Sequence, residues 1–157
     1  MVAGPNQPVE ARLVAEYCAL TFPTARVLQR VRLGALNPAL ELPTMTPEER
    51  RLAGVWRRWA DAVVIEPARV TIIEAAVIPQ PGKIAQLDLY LALWPRTAEF
   101  REYGALPLRG LLVSAVDDPL LRMLCRQRRL LMDVYRPRWV DAWFATLPPR
   151  KTRAPLA

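Results

Sequence analysis

Apolar positions recur along the chain with two periods, and the switches between them predict the elements. From Val9 to Leu20 the spacing is helical, with Leu13, Tyr17 and Leu20 on one stripe. Thr21-Phe-Pro-Thr24 breaks that helix. Ala25 to Leu33 alternates as a strand does, with Val27, Gln29, Val31 and Leu33 on one side and Arg26, Leu28, Arg30 and Arg32 on the other. Gly34 to Met45, holding Pro38 and Pro43, reads as an irregular loop. Thr46-Pro47-Glu48-Glu49 opens a helix that should end near Trp59, because it supplies a cap, a first-position proline and first-turn carboxylates.

Two strands follow, Asp61 to Glu66 and Arg69 to Val77, rich in valine and isoleucine and joined at Pro67-Ala68. After a loop at Pro79 to Gly82, Lys83 to Trp94 is apolar at helical spacing. Pro95 to Pro107 is a connection with room for some helix. Leu108 to Val116 is a buried-looking strand, and Asp118-Pro119 starts a helix to about Arg129. Leu131 to Tyr135 is a short strand, and Pro137 opens a last helix through about Ala145. The order predicts an α/β fold with a mixed central sheet flanked by helices. Residues 1–147 are expected to form one domain, with a basic, proline-rich tail over 148–157.

Composition narrows the chemistry. Histidine is absent and serine occurs once, at Ser114. Histidine-based triads, histidine zinc sites and histidine acid–base catalysis are therefore excluded. Cys18 and Cys125 make no disulfide framework and read as small core residues of a reducing compartment. No apolar run is long enough to span a bilayer, and the start lacks a secretory pattern, so a cytoplasmic location, or a virion, is expected. The formal charge is +7, and all of it belongs to the stretch from Leu121 onward, which holds nine basic and two acidic residues. Arg122, Arg126 and Arg129 recur at helical spacing, and Arg150, Lys151 and Arg153 follow in the tail. These six are expected to contact nucleic acid or an acidic partner surface; a solvated basic face is the alternative.

The carboxylates carry the sharper signal. If Pro67-Ala68 is a two-residue turn, Glu66 faces Arg69 and Asp61 lies opposite Glu74. Such a pair repels unless a cation or proton sits between its members. Mg²⁺ favours carboxylate sites completed by water. Further on, Gln86 and Tyr90 share one helix face; a solvent-facing glutamine and a half-buried tyrosine would look the same.

The segments Ala60-Asp-Ala-Val-Val-Ile, Val70-Thr-Ile-Ile-Glu-Ala-Ala and Lys83-Ile-Ala-Gln-Leu-Asp-Leu-Tyr resemble the PD-(D/E)XK nuclease superfamily. They are most similar to its RecB-type branch, which follows its metal-binding strands with a Gln-x-x-x-Tyr helix. The similarity covers roughly residues 25–145. It implies a restriction-endonuclease-like fold, with the family's first acid on Asp61, its E-x-K motif on Glu74-Ala75-Ala76, and its glutamine and tyrosine on Gln86 and Tyr90. The lysine that steadies developing phosphate charge in that family is here Ala76. Lys83 is the one candidate replacement, since Lys151 lies in the tail; an exposed helix-start lysine is the alternative.

Three readings follow. In the first, the chain is a degenerate, non-catalytic nuclease-fold protein without a cofactor. It would then be a homo-oligomeric structural or assembly component contacting protein partners or DNA, such as a tailed-bacteriophage head–tail adaptor. In the second it is a metal-dependent DNA nuclease, with Mg²⁺ on Asp61 and Glu74, the lysine relocated to Lys83, and Gln86 and Tyr90 assisting. In the third it is a silent nucleic-acid binder using Trp56-Arg-Arg-Trp59, whose tryptophans are otherwise core residues.

Overall fold

A computed structural model describes residues 7–35, 44, 46–48 and 58–148. Among these described residues, five strands form one mixed sheet in the order β1-β2-β3-β4-β5: β1 (Arg26–Leu33), β2 (Arg58–Glu66), β3 (Arg69–Ala76), β4 (Leu108–Ser114) and β5 (Leu131–Val134). The first three are antiparallel neighbours, while β3–β4 and β4–β5 are parallel. Helices α1 (Gln7–Thr21), α2 (Pro81–Leu93), α3 (Pro119–Gln127) and α4 (Arg138–Thr146) flank the sheet. Two 3₁₀ segments, Trp94–Arg96 and Ala98–Tyr103, fill the connection from α2 to β4.

Each face of the sheet buries its own apolar set. Ile84, Leu87 and Tyr90 of α2 and Leu121 and Cys125 of α3 pack on Val63, Ile65, Val70, Ile72 and Leu112. Val14, Tyr17 and Cys18 of α1 pack on Ala62, Val64, Ile73 and Val113 on the other side. Each fully buried leucine or isoleucine here contributes about 2 kcal/mol. Proline stands at the first position of α2, where its missing N–H costs nothing. Asp118 caps α3 by accepting from the Leu121 N–H at 3.0 Å. Gly110 lies close under the α2–α3 layer: a Cβ there would meet the end of the Leu130 side chain at 2.7 Å, which would have to shift.

Three expectations need correction. The helix opened by Thr46 does not reach Trp59; Pro47 and Glu48 are helical, but Arg58 already begins β2, and Trp59 pairs with Arg32. Residues 49–57, with Trp56 among them, lie outside the described residues, as do Arg150, Lys151 and Arg153. Strand β1 does not keep one alternation: Val27 faces the α1 side, whereas Leu28, Val31 and Leu33 face the α2 side. The switch falls at Arg30, whose backbone is left-handed (φ 52°). Finally, α3 ends at Gln127, so Arg129 lies beyond it, also left-handed (φ 57°). The Leu130 N–H donates to the Cys125 carbonyl and the Arg129 N–H to the Arg126 carbonyl, a helix-ending pair that stops the predicted arginine stripe.

Candidate active site

The hairpin has the two-residue turn, with Glu66 paired to Arg69, and its ladder runs to Ala62↔Ile73. The next position in that register brings Asp61 opposite Glu74. There the ladder stops and a side chain takes over: Asp61 Oδ2 accepts from the Ala75 N–H at 2.8 Å. The two strands thus part where the two acids stand.

Helix α2 supplies the cation. Lys83 sits in its first turn and donates from Nζ to Glu74 Oε1 at 2.8 Å. The same ammonium lies 3.6 Å from Glu10 Oε2 on the first turn of α1. The N-terminal turns of α1 and α2 therefore meet over the end of β3 and enclose the acids. Glu74 is only 3% exposed, and its Oε2 is shielded from solvent with no hydrogen-bond partner. Lys83 is half-buried, not the exposed helix-start lysine of the alternative reading.

Burial and mutual repulsion set the electrostatics. Burial, with the Asp61 charge added, pushes the Glu74 carboxyl up to about 7 despite the Lys83 ammonium. Burial also raises Asp61, against the pull of the Ala75 N–H, Lys83 and Arg30. Glu10 is raised by burial and by Asp61, with Lys83 opposing. Burial works against the Lys83 charge, but Glu74, Glu10 and Asp61 outweigh it and hold the ammonium above its ordinary value. Three carboxylates around one ammonium leave an excess of negative charge in a poorly solvated place.

The remaining predicted residues divide. Tyr90 is buried on the α2 face, and its phenol is raised by burial and by the Glu74 and Asp61 charges. Gln86 is exposed on the same helix. Ala76, at the E-x-K lysine position, is fully buried in the cluster that holds Ile84 and Leu87. Arg122 is tied to Asp117 at 2.7 Å and to the Met132 carbonyl at 3.0 Å, and Arg126 is exposed on α3. Sequence reasoning missed Glu10. Its only signal was a carboxylate in a helical first turn, which every helix start favours.

The two acids suit a divalent cation. Glu74 Oε2 is an oxygen acceptor without a donor, beside a second carboxylate. Among the described residues no three acidic or cysteine side chains converge to hold a metal by themselves, so water would have to complete its shell.

Two solved structures share this architecture. One is the crystal structure of a repair endonuclease from Pyrococcus abyssi, with TM-score 0.50 and 14% identity over 87% of this chain and 50% of that one. The other is the EndoMS-dsDNA2 complex, with TM-score 0.50 and 17% identity over 87% of this chain and 47% of that one. The chain spans about half the length of either. No protein-family model and no curated protein matches it. The likeness shows the fold: an α/β, restriction-endonuclease-like mixed sheet flanked by helices.

Proposed function

We propose that the chain is a metal-dependent DNA nuclease of the RecB-type PD-(D/E)XK kind whose lysine comes from α2. The observation that carries this reading is the Lys83 ammonium 2.8 Å from Glu74, beside Asp61, while the second Glu74 oxygen is buried without a donor. Ala76 need not be a lysine if Lys83 reaches the same carboxylates from the neighbouring helix. Of the neighbours named above, one is a repair endonuclease and the other is EndoMS in complex with double-stranded DNA.

Asp61 and Glu74 would hold Mg²⁺, which supplies Lewis-acid polarisation of a phosphodiester and a more acidic water. Lys83 places fixed positive charge where negative charge develops on phosphorus-bound oxygens. Glu10 keeps Lys83 charged and oriented. Tyr90 walls the acids on the α2 side, and Gln86 stands exposed on the same helix. The test is metal titration and DNA cleavage at pH 8: the chain should bind Mn²⁺ and, with Mn²⁺ or Mg²⁺, cleave labelled DNA, and Asp61→Asn should lose both. A wild-type chain that binds no cation and cuts neither single- nor double-stranded DNA rules the reading out.

The non-catalytic reading has one observation in its favour: the ammonium already neutralises part of the acidic cluster, which three side chains alone cannot turn into a metal cage. On that reading the chain is an oligomeric assembly part such as a head–tail adaptor. Wild-type cleavage that Asp61→Asn removes separates the two.

A further inference from the structure

The outer halves of β1 and β2 form a ribbon that runs past the point where β3 leaves it. Pairing of β1 with β2 continues through Val31↔Ala60 and Arg32↔Trp59 to Leu33↔Arg58, whereas β2–β3 pairing ends at Ala62↔Ile73. This overhang carries Arg30, Arg32, Arg58 and Trp59. The Arg32 guanidinium lies over the Trp59 ring at 4.5 Å and that of Arg30 at 5.5 Å. Arg30 and Arg58 are exposed and Trp59 is half-buried. The overhang borders the acidic site, since the Arg30 charge acts on Asp61 and the Arg58 charge on Tyr90.

The backbone at Arg30 adds an independent sign. Arg129 owes its left-handed conformation to the end of α3, where two hydrogen bonds require it. Arg30 lies inside a strand, away from any helix end, at the position facing Asp61 in the β1–β2 register. A non-glycine residue held this way mid-strand is strain of the kind found at functional sites. Here it reverses the alternation of β1 beside the acids and sets the guanidinium over Trp59.

We infer that this overhang binds an unpaired nucleic-acid strand, with a base stacked on the Trp59–arginine layer and Arg30 and Arg58 on the flanking phosphates. The inference rests on the nuclease reading and names its substrate class. Guanidinium groups match phosphate oxygens in pairs. An indole accepts any base, but only one released from a duplex stack. An acidic protein would engage the arginines and leave the indole unused.

The test is anisotropy of a labelled oligo(dT) of about 15 nucleotides with the full chain in EDTA. Wild type binds it more tightly than a duplex or polyglutamate. Trp59→Leu weakens binding about tenfold, and Trp59→Tyr restores most of it. Arg30→Gln with Arg58→Gln lowers the affinity and reduces the slope of log K against log salt by about 1.4. Arg69→Gln, at the far, turn end of the β2–β3 hairpin, changes neither. Wild-type affinity in Trp59→Leu and in the double arginine variant overturns the inference, as does equal binding of duplex or polyglutamate. Because binding is measured without metal, a wild-type chain that binds the oligonucleotide but cleaves no DNA with Mn²⁺ tells against the nuclease reading alone, and binding insensitive to Trp59 tells against this one alone.

Discussion

At the turn end of the β2–β3 hairpin, the Glu66 carboxylate lies 3.5 Å from Arg69 and 3.9 Å from Arg109. At the open end, Glu10, Asp61 and Glu74 gather around the ammonium of Lys83. Each end has a shielded glutamate oxygen that accepts no hydrogen bond. At the turn end that Glu66 oxygen has two guanidinium groups within ion-pair range, on side chains 47% and 31% exposed. At the open end the cation serves the other oxygen of Glu74, whose side chain is 4% exposed. The first arrangement is a screened surface pair that the fold tolerates anywhere. The second keeps surplus negative charge out of water, which costs stability.

The largest expected difference comes from removing the ammonium. Lys83→Met strands the buried carboxylate of Glu74 and the half-buried ones of Asp61 and Glu10, and should cost about 3 kcal/mol at pH 8. The loss shrinks toward pH 5, where the raised carboxyls of Glu74, Asp61 and Glu10 take up protons. Urea unfolding at both pH values measures it, and an equal loss at the two would mean that the cluster is not electrostatically coupled.

Glu74→Gln should act in the opposite direction. The folded-state value of Glu74, about 7, lies above its ordinary 4.5. Its contribution to stability is therefore full below pH 4.5 and declines as the pH rises through 7. Without metal, the glutamine variant should gain about 1 kcal/mol at pH 8, part of the gain being offset by the lost Lys83 bond, and nothing at pH 4. Destabilisation at pH 8 would place the value of this contact above the cost of burying the charge.

The smallest effect belongs to the turn end. Glu66→Gln should change stability by no more than about 0.5 kcal/mol, and salt should erase the change. A larger, salt-resistant loss would make the two ends alike.

The hairpin was legible because two valine- and isoleucine-rich runs flank a two-residue turn, and the register set by that turn puts Asp61 opposite Glu74. The apolar spacing of α2 likewise located Tyr90. What could not be read depends on tertiary approach. Glu10 reaches Lys83 only because α1 and α2 cross the sheet from opposite faces. The reversal of β1 at Arg30 leaves no trace in a pattern whose arginines and apolar residues alternate either way. Trp59 was assigned to a helix because its neighbours carry helical signals, and pairing with Arg32 overrode them. The arginine series on α3 had the right spacing, but Asp117 and the Met132 carbonyl take up Arg122, and the helix ends before Arg129.

Single-turnover cleavage of labelled DNA at pH 8 with Mn²⁺, comparing wild type, Lys83→Met and Glu66→Gln, tests most directly whether the open end is a working site with its lysine on α2. Cleavage by wild type and Glu66→Gln at equal rates, with a loss on the order of 100-fold or more in folded Lys83→Met, is the predicted result. Undiminished cleavage in Lys83→Met, or none in wild type, contradicts it.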